Sequence, residues 1–82
     1  METGSLIFDY DKIGDILYIE TCPTYPEQDS VELGDDVIAR LNPQTRAVES
    51  LEILFYSTRL QVSNNFILPI QAEFHAAQSM MA

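Results

Sequence analysis

Apolar residues come in short bursts along this chain, each closed by a polar turn, and they alternate with the period of a strand. The first burst, residues 6–8, ends at Asp9. Residues 11–15, Asp-Lys-Ile-Gly-Asp, read as a hairpin turn in which Gly14 supplies positive φ. Residues 16–19, Ile-Leu-Tyr-Ile, are β-branched and aromatic and predict the returning strand. Both alternating faces of that strand are apolar, so it needs cover on both sides. Residues 22–30 read as a loop, because Pro23 and Pro26 block ladder pairing around Tyr25. Val31, Glu32 and Leu33 alternate as a short strand, and Gly34, Asp35 and Asp36 form a tight turn. Residues 37–41 predict the next strand, with Val37, Ala39 and Leu41 on one face and Ile38 and Arg40 on the other. Asn42 and Pro43 open a further turn, since Asn favours its first position and Pro presets φ at the second. Residues 46–54 form the longest strand candidate, with Leu51, Ile53 and Phe55 facing one way and Glu52 the other.

After Leu54 the period weakens. Residues 55–60 either turn once as a helix or leave the sheet. Residues 63–65 read as a turn, and 66–70 as an extended edge strand limited by Pro69. Residues 71–82 contain helix formers and no β-branched side chain, with Phe74, Ala77 and Met81 on one face. A helix that short needs a surface to dock on, in this chain or in a neighbouring copy. The expected fold is mainly β (α+β): a single antiparallel β-meander of five or six strands with a short C-terminal helix, in one domain over 1–82. The connections are too short for the helical crossovers of a parallel sheet.

Composition narrows the function classes. With 82 residues, the domain buries only about 60–65% of the surface its unfolded chain exposes. Small domains compensate with disulfides, metals or self-association. Cys22 is the only cysteine, which removes an internal disulfide and a Cys-rich zinc site and leaves self-association. Phe74, Ala77, Met80 and Met81 are the candidate interface residues, given the enrichment of aromatic and Met side chains at interfaces. Net charge is −9, against four cations, Lys12, Arg40, Arg46 and Arg59. That balance repels a phosphate backbone, so nucleic acid is not an expected partner, whereas a basic protein is compatible. No stretch approaches the roughly 20 apolar residues that span a bilayer, so no membrane role is expected. Residues 1–5 lack the basic region of a secretory signal, and a lone thiol suits a reducing compartment; the expected location is cytoplasmic.

The candidate chemistry gives way to simpler readings. Asp9, Asp11, Gly14, Ile16 and Glu20 match five positions of a calcium-binding EF-hand loop. Ile13, however, stands where that loop needs a side-chain oxygen, and the flanks are not helical. Asp35 and Asp36 could serve acid–base or metal chemistry, but they occupy a turn that favours Asp for local hydrogen bonds. His75 is the only histidine and has no evident nucleophile or orienting acid. Cys22 neighbours Glu20 and Glu27, which oppose thiolate formation. Ser57 and Ser63 lie in no nucleophile elbow, and three glycines leave little material for a phosphate loop. No catalytic, cofactor-binding or metal-binding residue is assigned.

Tyr10, Asp11, Asp15, Leu17, Tyr18 and Ile19 together resemble the opening signature of the domain-of-unknown-function family 2283. Residues 37–41, 42–48 and 51–54 follow in the order of that family's later strand, polar turn and closing strand. The likeness covers about residues 7–60, with 61–82 as an extension. It departs at Ser50, where the family usually has glycine, and at Phe55 and Tyr56, which replace small polar residues. The resemblance implies a small β-rich microbial protein with no established catalytic residues. It gives Asp11 and Asp15 the role of shaping the turn. The favoured expectation is a non-enzymatic structural or interaction module acting as a homodimer. The alternatives are an antidote-like acidic protein that binds a basic toxin, and an acid-dependent hydrolase or divalent-metal site using Asp9, Asp11, Asp15 or Asp35.

Overall fold

Five strands and one helix follow one another along the chain: β1 (Ile7–Asp11), β2 (Ile16–Glu20), β3 (Asp29–Gly34), β4 (Val37–Leu41), β5 (Val48–Leu54) and α1 (Tyr56–Val62). The computed structural model describes residues 5–76. The strands form one antiparallel sheet in the order β1-β2-β5-β4-β3. The mainly β, antiparallel class read from the sequence is the class observed, with a short helix after the last strand.

The order is not that of a sequential meander. β3, β4 and β5 are joined by two hairpins, and β5 then slots between β4 and β2. Burial explains the choice. β5 is the longest strand, and its residues Ser50, Leu51, Glu52 and Ile53 are all buried. β3 carries Asp29, Glu32 and a register shift before Gly34, features that suit an edge. Residues 21–28 bridge β2 to that far edge, three strand spacings or roughly 14 Å away.

One sheet face carries the core. Leu17 and Ile19 of β2, Leu51 and Ile53 of β5, and Val37 and Ala39 of β4 lie side by side in register. Val37, Ala39 and Ile53 have no exposed surface. The chain after α1 covers this face. Leu68 and Ile70 pack on Val37, Ala39 and Leu51, together with Ile19, Leu33 and Leu41. Tyr56 at the start of α1 lies between Tyr10, in a tilted contact, and Phe66, in an edge-to-face contact, with ring centroids 5.7 and 6.0 Å away.

Four local expectations are corrected. Asp15, rather than Gly14, takes the positive φ of the first hairpin, at 59°. A Cβ at Gly14 would sit 2.7 Å from Asp11 Oδ2, so a larger residue there displaces the carboxylate that closes the turn. Phe55 does not continue the face of Leu51 and Ile53; it adopts φ 55° and turns the chain into α1. Residues 66–70 form no edge strand, because Pro69 sits in a tight bend in which the Ile70 N–H donates to Leu68 O at 2.8 Å. Residues 71–76, expected to open a helix, are irregular, and the helix of the fold lies at Tyr56–Val62. A helix that short is not stable by itself in water. Ala77, Met80 and Met81 lie outside the described residues, and Phe74 is exposed.

Candidate functional site

The aspartates of the opening motif are both engaged. Asp11 Oδ1 accepts the Ile13 and Gly14 N–H groups at 3.0 and 3.1 Å, an Asx turn that closes the β1–β2 hairpin. Asp15 reaches further. Its Oδ1 accepts the Tyr10 hydroxyl at 2.6 Å and the Ser57 N–H at 2.9 Å, and its Oδ2 accepts the Ser57 hydroxyl at 2.8 Å. The Asp15 carbonyl accepts the Tyr56 N–H at 3.0 Å. The first amides of α1 are thereby satisfied from the hairpin, since Phe55 offers no capping side chain. The Tyr10 and Ser57 hydrogen bonds hold the Asp15 carboxyl below its ordinary range. Tyr10 moves upward because it donates to that carboxylate and is partly desolvated. The turn-shaping role expected of Asp11 and Asp15 is present. The latch to Ser57 was not legible, because 42 residues separate the partners.

A second carboxylate hub holds the crossover. Glu49 Oε1 accepts the Tyr25 hydroxyl at 2.6 Å and Gln28 Nε2 at 3.0 Å, and Oε2 accepts Asn42 Nδ2 at 3.0 Å. The Glu49 carbonyl takes the Thr21 N–H at 2.9 Å and the Thr21 hydroxyl at 3.0 Å. The Tyr25 bond first, then those from Gln28 and Asn42, hold the Glu49 carboxyl below its ordinary range. Donating to Glu49, together with burial, pushes the Tyr25 phenol up to about 12. Sequence reasoning treated Tyr25 as loop and gave Glu49 no role. The only available signal was a polar residue facing inward on a strand.

The third arrangement lies on the opposite face of the sheet. Arg40 Nε donates to Glu52 Oε2 at 2.6 Å, and Arg40 Nη1 donates to Ser30 Oγ at 3.2 Å. Glu52 is only 9% exposed although it sits on the less covered face. Ser50, 2% exposed, has a hydroxyl without a hydrogen-bond partner. The Tyr18 phenol beside them is raised, first by burial and then by the Glu52 charge.

The remaining candidates are structural in their contacts. Asp35 and Asp36 both have positive φ, at 55° and 61°, and form the two-residue β3–β4 turn. Arg59 donates to the Asp35 carbonyl at 2.7 Å and to its carboxylate at 3.2 Å, and lies 4.8 Å over the Phe66 ring. Cys22 is half-buried in the crossover. His75 is exposed, with Nε2 3.9 Å from Glu73. The segment that matches a calcium loop is itself the β1–β2 hairpin, running from within β1 to the end of β2. Among the described residues, no three His, Cys, Asp or Glu side chains converge on a point that could hold a metal ion. No helix among them is long and apolar enough to cross a membrane.

The chain was compared with known proteins. Neither curated proteins nor solved structures give a match. Residues 7–57 match the family described as protein of unknown function (DUF2283). That span runs from the first residue of β1 through the Ser57 that Asp15 holds, and takes in both carboxylate hubs. The match covers more than half of the chain, and the chain belongs to that family.

Proposed function

We propose that this protein is a non-enzymatic interaction module that works as a homodimer joined along β1. The observation that carries this reading is the outer edge of that strand, which pairs with no further strand among the described residues. All five β1 residues are exposed, and Leu6, Ile7, Phe8 and Tyr10 leave apolar surface open, with Phe8 at 62%. An edge strand of this kind is a template for another strand. The opposite edge, β3, is protected by Asp29, Glu32 and its register shift.

A two-fold axis normal to the sheet would set β1 antiparallel to the β1 of a second copy, with like faces on the same side. Centred on Phe8, that register places Phe8 against its symmetry mate, Ile7 opposite Asp9, and Leu6 opposite Tyr10. It avoids setting Asp9 against Asp9, which like charge disfavours. Light scattering at micromolar concentration tests the reading. Wild type is expected at twice the chain mass and Phe8→Asp at the single chain mass, with unchanged far-ultraviolet circular dichroism because Phe8 is not core. A monomeric wild type, or a Phe8→Asp variant of the same mass as wild type, would reject it.

A further inference from the structure

The core cluster of the sheet ends one strand short of the β1 edge. Val37, Ala39 and Leu51 are joined by Ile19 of β2, and Leu68 and Ile70 pack against them. Phe8, the β1 residue paired with Ile19, is 62% exposed, and Tyr10, paired with Leu17, is 41% exposed. Leu6, at the same spacing before them, is exposed as well. All three lie on the core side, because side chains two apart on a strand share a face. Ile7, Asp9 and Asp11 take the other face of β1. The apolar side of the sheet therefore runs on to its edge, past the segment that packs on it.

Joining two copies along β1 does not bury this strip. Edge pairing satisfies backbone groups, whereas Phe8 and Tyr10 stand roughly perpendicular to the sheet. The two-fold axis brings Leu6, Phe8 and Tyr10 of one copy beside the same residues of the other. One apolar strip then crosses the seam between two five-stranded sheets. A contiguous exposed patch of that kind marks an interaction site.

The chain itself supplies a matching segment. Residues 71–82 follow Ile70 and hold one acid, Glu73, beside Phe74, Met80, Met81 and four alanines. Phe74 is 83% exposed in the single chain. β4, under the Leu68 and Ile70 anchor, lies three strand spacings from β1, roughly 14 Å. The segment reaches roughly 40 Å if extended and about 18 Å as a helix, long enough in either form. An anionic membrane or a nucleic acid meets instead the net charge of −9.

We propose, resting on the β1 dimer above, that residues 71–82 close its seam. Phe74 seats on the Phe8 pair, and Met80 and Met81 continue over the second copy. Each copy adds to the strip an aromatic ring and two thioethers, side chains enriched at interfaces.

Light scattering over a dilution series of the full chain reads the dimer. Nuclear Overhauser contacts, in a mixture of chains with labelled methionine methyls and unlabelled chains, read the segment. Wild type is expected as a dimer whose dissociation midpoint rises by about tenfold or more in Phe74→Ser, the effect of one buried aromatic side chain. Val62→Ser is the control. Val62 is 82% exposed and follows Arg59, which is bound to the β3–β4 turn on the opposite side of the sheet from β1. Its midpoint should stay within about twofold of wild type. Met80 or Met81 methyls of one copy should contact the Phe8 ring of the other. Equal midpoints for Phe74→Ser and wild type, or methionine contacts confined to α1 or to the same copy, would overturn the proposal while the dimer stands. So would a wild-type mass of four chains, with a second dimer on the strip. A wild type of single chain mass rejects the dimer, and the seam with it.

Discussion

Removing the side chain of Ile53 tests the strand order directly. Ile53 is fully buried on β5, with Leu17 paired to it on one side and Val37 on the other. Ile→Ala in a core costs about 2–5 kcal/mol, and the upper half applies where neighbours cannot close the cavity. Here both neighbours are fixed by backbone pairing, so we expect about 3–5 kcal/mol. A chain of 82 residues has roughly 4–12 kcal/mol of stability in total. Ile53→Ala therefore removes about a quarter or more of it. The matched control is Val31→Ala on β3, which is half-buried at the edge and expected to cost about 1 kcal/mol or less. Urea unfolding followed by circular dichroism or tyrosine fluorescence, the chain having no tryptophan, reads both. With a slope near 1 kcal/mol per molar urea, the midpoint should fall by about 3 M or more for Ile53→Ala and by about 1 M or less for Val31→Ala. In a sequential meander β3 would be central and β5 an edge, and the ranking would reverse. Equal or reversed shifts would refute the placement of β5.

The Glu49 hub makes stability pH-dependent at both ends. The folded Glu49 carboxyl lies below its ordinary value of about 4.5, so its contribution is full above that pH and is lost as pH falls through the folded value. Glu49→Gln should flatten the acid limb of a melting-temperature profile. Tyr25 runs the other way: its folded pKa of about 12 exceeds the ordinary 10, so its contribution is full below pH 10 and is lost as pH rises through 12. Tyrosinate absorbance should show one fewer late-titrating phenol in Tyr25→Phe than in wild type. In the β3–β4 turn, Asp36→Gly should raise stability by about 0.5–1 kcal/mol, since Asp-Gly suits a turn with positive φ at both central residues. Thermal unfolding a few degrees higher than wild type is the expected reading, and a lower midpoint would count against the turn assignment.

The strands were legible because their signals are local. Alternation in residues 37–41, and the polar turns at Asp11, Asp35 and Asn42, act over a few residues and mark strand limits wherever the strands end up. The irregular course of residues 71–76 was not legible for the same reason. Residues 71–76 have helix-forming composition, but helices this short depend on tertiary support. Tyr56–Val62 has weaker composition, yet Asp15 and Ser57 secure its first turn.

By itself, the sequence determined the class of fold, the turn at Asp11 and Asp15, and the family membership over residues 7–57. Only the tertiary structure decided that β5 lies between β2 and β4, that Glu49 fastens the crossover, and that Arg40 pairs with Glu52 on the face opposite the core. Period and turn chemistry depend on neighbours in the chain. Strand order and polar hubs depend on which distant surfaces bury best together, as Ile53 does between Leu17 and Val37, and no local pattern encodes that competition.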